Sequence, residues 1–206
     1  EDRVRYEGDA IAAVAADTVE QARAALEVID VDYAPLAVVD QAETAEQMSP
    51  LHGESNLLAR EAFERGDTDA AFARCAVIVE HHYQTPRQMH AFMETEGGVA
   101  IPDNNGGVIF RVGCQSGHRD AEQTGSPVLI HLDRFESCRT GIKRHPVSMI
   151  MTTGCDRQGR ILAHRVDALL DTGAYASLGP AVLENFLDHA TAPLYRIEAY
   201  SVSGRL

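Results

Sequence analysis

The first part of the chain contains strand-like apolar stretches and a stretch of apolar residues at helical spacing. These patterns predict its strands and its helix. Small apolar residues at 11–16, and an alternation of apolar and acidic residues at 28–33, predict two strands. Between them, Thr18 is followed three residues later by Gln21, which is a capping-box signature, and apolar residues then recur at helical spacing. The first segment therefore predicts a strand, a helix and a second strand.

The next part of the chain has less periodicity. Residues 40–66 are rich in polar residues and glycine, and we expect them to form a long connection between two lobes. Asp67 or Thr68 then caps a short predicted helix that runs through Ala73. The apolar and polar residues of 76–85 predict an extended strand after it.

The second half of the chain is dominated by strand patterns. Turn residues between paired apolar runs predict two hairpins, and a Gly-Pro pair followed by apolar residues at helical spacing predicts one helix. In order, these elements are a hairpin of 97–101 with 108–113, a hairpin of 147–153 with 161–170, a helix within 180–190 and a last strand at 195–202. Together the patterns predict an α+β chain with a dominant sheet.

Composition and charge exclude several classes of function. Of the 206 residues 45% are apolar, which is enough for a core, and the formal net charge is −13. A charge of this sign disfavours nucleic acid and anionic membrane surfaces as partners. No apolar run approaches the roughly 18 residues that a membrane span requires. We therefore expect neither nucleic acid nor membrane among the partners.

The cysteines and histidines do not suggest a metal site. The four cysteines form no C-x-x-C pair, so neither an iron–sulfur cluster nor a zinc ribbon is indicated within this chain. His81 and His82 are adjacent, and in a strand they would point to opposite faces. The N-terminal residues lack the features of a secretory signal, so we expect reduced thiols and a cytoplasmic location.

Several stretches, taken in order, resemble one family. They are VRYEGDAIAAVAA (4–16), residues 22–36, GDTDAAFA (66–73), TPRQMHAFME (85–94), GIKRHP (141–146) and DTGAYASLGP (171–180). Each is weak alone, but their shared order covers nearly the whole chain. It is similar to the molybdopterin-binding large subunit of xanthine dehydrogenase and aldehyde oxidase type molybdenum hydroxylases.

The resemblance implies both an architecture and a chemistry. It implies that 1–50 are the C-terminal half of an α/β hammerhead domain and that 51–206 are the first, sheet-rich part of the molybdopterin-binding domain. Family members hydroxylate an electron-poor carbon of an N-heterocycle such as a purine, or an aldehyde, with water as the oxygen source. Their cofactor is molybdenum bound to molybdopterin, in its plain or cytosine dinucleotide form, so no protein side chain is expected as metal ligand.

The same resemblance implies partners. Electrons leave family enzymes through iron–sulfur clusters to FAD, so we expect subunits or domains that carry these groups, together with other parts of the same large subunit and a small-molecule substrate. The alternative is a non-catalytic remnant that serves as a scaffold or a partner-binding piece. Tight binding of the cofactor by the isolated chain would rule out this alternative.

One residue is assigned to the cofactor on the strength of the resemblance. Gln115, in the stretch GCQS, matches the family glutamine beside a molybdenum oxo ligand, where its amide N–H could stabilise charge on the oxygen. On position alone, a polar residue that forms a turn at a strand end is the better interpretation. No catalytic residue is assigned, because the family's general-base glutamate is expected outside this chain.

The sequence departs from the family pattern after Asp120. There a glycine-rich loop is expected, whereas residues 121–123 lead directly into TGSPV (124–128), which resembles the family's TGRPV. The glycines of such a loop allow backbone amides to approach a cofactor closely. The resemblance therefore implies a deletion near 120–124 that removes part of the pocket wall, and the chain alone is expected to be inactive.

Three other groups of residues suggest chemistry but have simpler explanations. Glu94 and Glu96 would share a face of a strand and could act as paired carboxylates, although a hydrogen-bonded structural role is the better interpretation. Residues 143–145 form a small basic cluster that could bind an anion, but a solvated face or a salt bridge is the simpler expectation. Residues 171–175 contain no catalytic constellation, and we assign them to packing near the site.

Overall fold

A computed structural model describes residues 3–105, 107–112 and 128–206. The chain divides into two compact units, each made of two stretches: unit 1 contains Glu1–Leu36 and Met89–Lys143, and unit 2 contains Ala37–Gln88 and Arg144–Leu206. Among the described residues, no helix is long and apolar enough to cross a membrane.

The described part of the chain contains helices and strands in mixed order. They are α1 (Val19–Leu26), α2 (Ala42–Ala45), β1 (Arg60–Arg65), α3 (Thr68–Phe72), β2 (Val77–Thr85), β3 (Gln88–Met89), β4 (Gly97–Pro102), β5 (Val108–Val112), β6 (Val128–His131), α4 (Arg134–Thr140), β7 (Lys143–Arg144), β8 (Val147–Cys155), β9 (Ile161–Leu170), α5 (Gly179–Ala190) and β10 (Ala199–Arg205). The short strands β3 and β7 lie where the chain passes between the units. This mixture of helices and sheet agrees with the predicted α+β class.

Unit 2 is built on a five-stranded sheet in the order β1-β10-β9-β8-β2. All neighbouring strands run antiparallel except β10 and β9, which are parallel. Helix α5 packs on one face, and its packing forms a buried apolar cluster of Val166, Ala168, Leu170, Leu183, Leu187, Val202 and Leu206. Helix α3 covers part of the other face, where Ala71, Ala163 and Ala199 are buried together.

The sequence of β9 explains why its two faces differ. Val166 and Ala168 are buried, whereas the alternate residues Arg165 and Asp167 are exposed, because successive side chains of a strand point to opposite faces. Gly204 of β10 permits the close approach of α5, since a Cβ at this position would lie 2.7 Å from the Leu183 Cδ1 atom. Small residues in β10 and apolar alternation in β9 therefore place α5.

Unit 1 contains a three-stranded antiparallel sheet in the order β5-β4-β6, together with α1 and α4. The N-terminus of α4 has a capping box in which Asp133 and Glu136 each accept from the other's backbone amide, at 2.9 and 2.7 Å. Gly8 lies against the last turn of α4, since a Cβ there would be 2.8 Å from the Arg139 carbonyl oxygen. Helix α1 buries none of its residues.

Most of the predicted elements are present. Thr18 and Gln21 form both bonds of the predicted capping box at the start of α1, and Asp67 caps α3 by accepting from the Ala70 amide at 2.9 Å. The predicted strand at 76–85 is β2, both predicted hairpins form, and α5 follows Gly179 and Pro180. Helical spacing and turn residues were thus reliable indicators here.

Two predicted strands are wrong. Residues 11–16 and 28–33 form no strand, although the first stretch is continuously apolar and the second alternates as a strand's side chains would. A strand needs a neighbour for its backbone N–H and C=O groups, and neither stretch pairs with another described segment. A hydrophobic pattern shows which side chains could be buried together, but it does not show whether a partner strand exists.

Several elements were missed or misplaced. The predicted connection at 40–66 contains α2 and the strand β1, whose mostly polar sequence suits an exposed sheet edge paired only with β10. The last strand begins at Ala199, four residues later than predicted, because residues 192–195 follow the end of α5 in a turn. Helix α4 was not predicted, although its capping box was readable from the sequence.

Truncation of a core leucine tests the placement of α5. Leu183 is fully buried, so Leu183→Ala is expected to lower the free energy of unfolding by roughly 2–5 kcal/mol through lost burial and a residual cavity. Leu194 is 94% exposed, and Leu194→Ala is the matched control, with an expected change within about 0.5 kcal/mol. Urea unfolding measures both. Equal losses in the two variants would contradict the assigned core.

A buried histidine lies in the same sheet. His164 of β9 is 5% exposed, its Nδ1 is 2.9 Å from the Thr153 hydroxyl, and its Nε2 has no hydrogen bond of normal geometry among the described residues. Burial lowers the pKa of His164, and the nearby Ala190 backbone offsets this only in part. The folded state therefore favours the neutral imidazole.

Stability is expected to fall on acidification for this reason. Above the ordinary histidine pKa of about 6.5, both the folded and the unfolded states hold a neutral His164. Below it the unfolded chain binds the proton more readily, so the free energy of unfolding decreases as the pH falls toward the folded pKa. Urea unfolding between pH 7.5 and 5 should show a shallower decrease for His164→Gln, but not for the exposed control His82→Gln. Parallel curves for all three proteins would refute the assignment.

Candidate functional site

Three of the stretches singled out in the sequence meet at one end of the unit 2 sheet. Thr85 of β2 is opposite Val147 of β8, and Val147 is opposite Leu170 of β9. The segments that continue past these three positions must therefore lie side by side. They carry Arg87, His145 and the stretch 171–176, which come from the TPRQ, KRHP and DTGAYA stretches respectively.

An ion pair joins the first and last of these segments. Arg87 Nη2 donates to Asp171 Oδ2 at 2.6 Å, with both side chains partly exposed. The second oxygen of Asp171 accepts from the Gly173 amide at 2.7 Å. Gly173 has a φ of +77°, and a Cβ there would lie 3.3 Å from Arg87 Nη1. The backbone conformation therefore favours glycine, and a larger side chain would also crowd the guanidinium.

A second interaction fixes the same turn from the β8 side. The Thr172 hydroxyl lies 3.1 Å from the carbonyl oxygens of Tyr175 and Ala176, and also 3.1 Å from His145 Nε2. A hydroxyl has one hydrogen, so if Thr172 donates to the carbonyls, the His145 Nε2–H must donate to the hydroxyl oxygen. That arrangement corresponds to the Nε2-protonated tautomer of a neutral His145.

The charge state of His145 depends on its neighbours in this network. Burial lowers the pKa of His145, the carboxylate of Asp171 raises it, and the guanidinium of Arg87 lowers it. His52 adds a further tie, because its Nε2 lies 2.7 Å from the Ala174 carbonyl oxygen and its ring contacts Tyr175. The network of Arg87, His145, Asp171 and Thr172, together with His52, thus ties the 171–176 turn to three other segments of unit 2.

The network of Arg87, His145, Asp171 and Thr172 fixes a turn. It contains no activated nucleophile among its described residues. The charges of Arg87 and Asp171 compensate each other, and the Nε2 position of His145 is used by Thr172. The sequence marked these stretches individually but did not predict their pairing. Each flanks a strand end that was predicted correctly, so the missing information was the strand order.

Among the described residues, the structure does not bring together the other residues that the sequence marked. Gln115, with the predicted deletion near 120–124, lies outside the described residues. Glu94 and Glu96 precede β4 instead of sharing a strand face; Glu94 is exposed, and the buried Oε2 of Glu96 has no partner among the described residues. The expectation of a shared strand face is therefore wrong.

The predicted basic and histidine groups also separate. Lys143 donates to the Gly141 carbonyl at 2.6 Å, just after α4, whereas His145 belongs to the turn network, so residues 143–145 form no joint anion site. His81 contacts the Tyr83 ring and His82 contacts the Ser148 hydroxyl, in agreement with the prediction that the two point apart. No group of three or more metal-binding side chains occurs within the described ranges.

One described pocket of unit 2 differs in charge from a site for the expected cofactor. It has a volume of about 260 Å³, lies between α3 and the sheet, and is lined by Asp69, Phe72, Ile78, Glu80, Ile150, Thr152, Arg165 and Asp167. Three carboxylates and one guanidinium give this wall a net negative charge, which repels the phosphate of a molybdopterin. The pocket does not fit the cofactor.

Opposite changes at the two charged residues of the turn network test its geometry. Asp171→Asn removes a charge that favours the imidazolium and is expected to lower the pKa of His145, whereas Arg87→Met removes an opposing charge and should raise it. NMR titration of the His145 ring protons measures both changes. Glu80→Gln, on another part of the sheet, is the control and should have no effect. Shifts of the same sign in the two variants would exclude this network.

Comparisons with known proteins place the chain in a family. A family model for the molybdopterin cofactor-binding domain matches residues 51–121 and 119–206. The chain is 42% identical to a probable xanthine dehydrogenase subunit of Bacillus subtilis (strain 168), over 99% of the chain and 33% of that protein. It is 34% identical to the nicotinate dehydrogenase large molybdopterin subunit of Eubacterium barkeri, over 94% of the chain and 56% of that protein.

Solved structures show the same fold. The aldehyde oxidoreductase of Desulfovibrio gigas superposes with a TM-score of 0.77 at 22% identity, covering 92% of this chain and 26% of that one. Quinoline 2-oxidoreductase of Pseudomonas putida 86 superposes with a TM-score of 0.75 at 21% identity, covering 92% and 30%. The chain thus spans about a third of the Bacillus relative and about a quarter of the Desulfovibrio enzyme. On the strength of the family model and the sequence relatives, the chain belongs to the molybdopterin cofactor-binding domain family.

Proposed function

We propose that the chain forms part of the large subunit of a molybdenum hydroxylase that oxidises an N-heterocycle. The observation that carries this proposal is the identity of 42% and 34% to relatives named for xanthine and nicotinate, over nearly the whole chain. Both names denote N-heterocycles. The relatives named for aldehyde oxidation are 31% identical over only half of the chain, so an aldehyde is the weaker candidate substrate.

The proposed domain organisation follows the same comparison. Residues 51–206 are assigned to the first part of the molybdopterin-binding domain, and 1–50 to the C-terminal half of a hammerhead domain. The family match begins at residue 51, which supports the boundary. The match is also divided at residues 119–121, where the sequence departs from the family pattern.

A deletion near 120–124 is part of the proposal. The alignment with the Bacillus relative has 247 positions, whereas this chain has 206 residues, so the relative contains at least 41 residues without a counterpart here. This agrees with the loss of a segment that would include a glycine-rich loop. The chain alone is therefore proposed to be inactive.

The proposed cofactor is molybdenum with molybdopterin, in its plain or cytosine dinucleotide form, and Gln115 is the residue proposed to contact it. When bound, this cofactor would supply the two-electron oxidation of the substrate carbon. Iron–sulfur and FAD-bearing subunits are proposed as electron acceptors, since the relatives are themselves named as subunits. A cytoplasmic location completes the proposal, and no general base is assigned within this chain.

A non-catalytic scaffold is the second candidate, and the same deletion supports it. A wall segment of a cofactor pocket can be lost while the surrounding sheet persists. An intact mass near 22.4 kDa for the native polypeptide, without bound molybdenum, would favour the scaffold. A larger native polypeptide that contains molybdenum would favour the enzyme.

Replacement of Gln115 tests the proposed contact. In the complex purified with its partner subunits, Gln115→Ala is expected to lower turnover of hypoxanthine or nicotinate by roughly 10²–10³-fold, as the loss of one preorganised donor does in other enzymes. Molybdenum content, measured by mass spectrometry of the metal, should remain unchanged.

The matched control is Gln158→Ala, whose side chain lies in the exposed turn between β8 and β9 and should leave turnover intact. Full turnover in the Gln115→Ala complex would refute the role of this residue alone. A complete complex that contains no molybdenum would refute the proposed enzyme itself.

A further inference from the structure

The pocket between α3 and the sheet of unit 2 has no role in the proposed chemistry. Its floor and rim follow from the strand register, because Thr152 of β8 lies opposite Glu80 of β2 and Arg165 of β9. Two residues along, Ile150 of β8 lies opposite Asp167 of β9. Alternate residues of a strand share a face, so these five side chains point away from α5 and toward the side that α3 partly covers.

Arg165 is the only cationic residue among those that line the pocket, and it holds one wall in place. Arg165 Nη2 donates to Asp69 Oδ1 of α3 at 2.5 Å, and the guanidinium lies 5.3 Å from the centre of the Phe72 ring. The charge of Arg165 is therefore compensated by Asp69, and its position ties α3 to the sheet. Arg165 therefore does not compensate the charges of the other two carboxylates, Glu80 and Asp167.

The opposite side of the pocket combines apolar surface with uncompensated negative charge. Ile78 and Ile150, which line the pocket, are 51% and 49% exposed, so about half of the surface of each is open to solvent. Glu80 accepts from the Thr152 hydroxyl at 2.8 Å and pairs with no basic residue among those described. The carboxylate of Asp167 has no hydrogen bond or ion pair within the part of the chain that the structure describes. An occupant must therefore offer both an apolar body and a positive charge.

We propose that this pocket receives a lysine or arginine side chain presented by a partner polypeptide. The aliphatic stem of such a side chain packs on apolar surface while its charged head remains at a polar rim. Here Ile78, Ile150 and Phe72 would contact the stem, and Glu80 and Asp167 would attract the head. A volume of about 260 Å³ is large enough for one long side chain.

A partner polypeptide fits better than a free organic cation. Each ion pair at an exposed rim strengthens binding by at most about fivefold, because water and salt screen the charges. A lone cation would therefore occupy the pocket only weakly. A side chain on a polypeptide gains further contacts beside the pocket, and basic anchors seated in acidic pockets are a common feature of protein interfaces.

Methyl NMR on the full chain tests the proposal, because Ile78 and Ile150 are reporters within the floor. Isoleucine methyl signals are followed while the chain is titrated with the peptide acetyl-Gly-Arg-Gly-amide, n-butylguanidinium, n-butanol or butyrate. The expected result is a saturable shift of the Ile78 and Ile150 signals with the two cations, a tighter apparent Kd for the peptide, and no saturable shift with butanol or butyrate.

A second experiment removes the negative charges at the rim of the pocket. The Glu80→Gln/Asp167→Asn double variant is expected to weaken peptide binding by roughly threefold to tenfold, in line with the loss of two exposed pairs. The control is Asp30→Asn/Asp32→Asn, which removes two exposed charges elsewhere and should leave the Kd unchanged. Both side chains replaced in the test variant are on the rim, and a thermal melt verifies that each variant folds.

Four outcomes would overturn the proposal. Equal shifts with butanol would show a plain apolar crevice, and an unchanged Kd in the rim variant would remove the role of the carboxylates. Binding of n-butylguanidinium with exclusion of the peptide would identify a small-molecule site instead of a docking site. Shifts that depend on protein concentration without any ligand would show that a second copy of this chain occupies the pocket.

Discussion

The packing of α5 against β9 and β10 is the constraint on which the rest of unit 2 depends. Leu183 and Leu187 can be buried only if the helix approaches the sheet closely, and Gly204 allows this because no Cβ stands between them. With that face fixed, the register of β9 places Val166 inward and therefore Arg165 and Asp167 outward. A slip of one residue would exchange the two faces and bury both charges.

The same register creates two chemically distinct places in unit 2. At the strand ends it aligns Thr85, Val147 and Leu170, and so brings Arg87 and Asp171 together although they are 84 residues apart. On the face opposite α5 it leaves an acidic pocket with an apolar floor. The first place is compensated in charge and serves to fix a turn, whereas the second is uncompensated and is suited to a cationic side chain.

The sequence predicted local features well and long-range ones poorly, for a physical reason. The cap at Thr18 and the helix after Pro180 depend on neighbours within a few residues, and both formed as predicted. The strands predicted at 11–16 and 28–33 failed because a strand requires a partner that periodicity does not report. Motif similarity supplied the family, but the meeting of Arg87 with Asp171 required knowledge of strand order.

The position of the proposed deletion explains why the fold and the chemistry can be separated. Strands β5 and β6 pair with opposite edges of β4, and the departure from the family pattern lies between Val112 and Val128, outside these ladders. Shortening a connection costs the sheet little, because the ladder bonds and the packed faces are untouched. We propose that a glycine-rich loop at that point would contribute backbone amides to a cofactor. The superposition on the solved structures therefore does not depend on this connection, and we propose that Gln115 together with the connection decides whether the cofactor can be held.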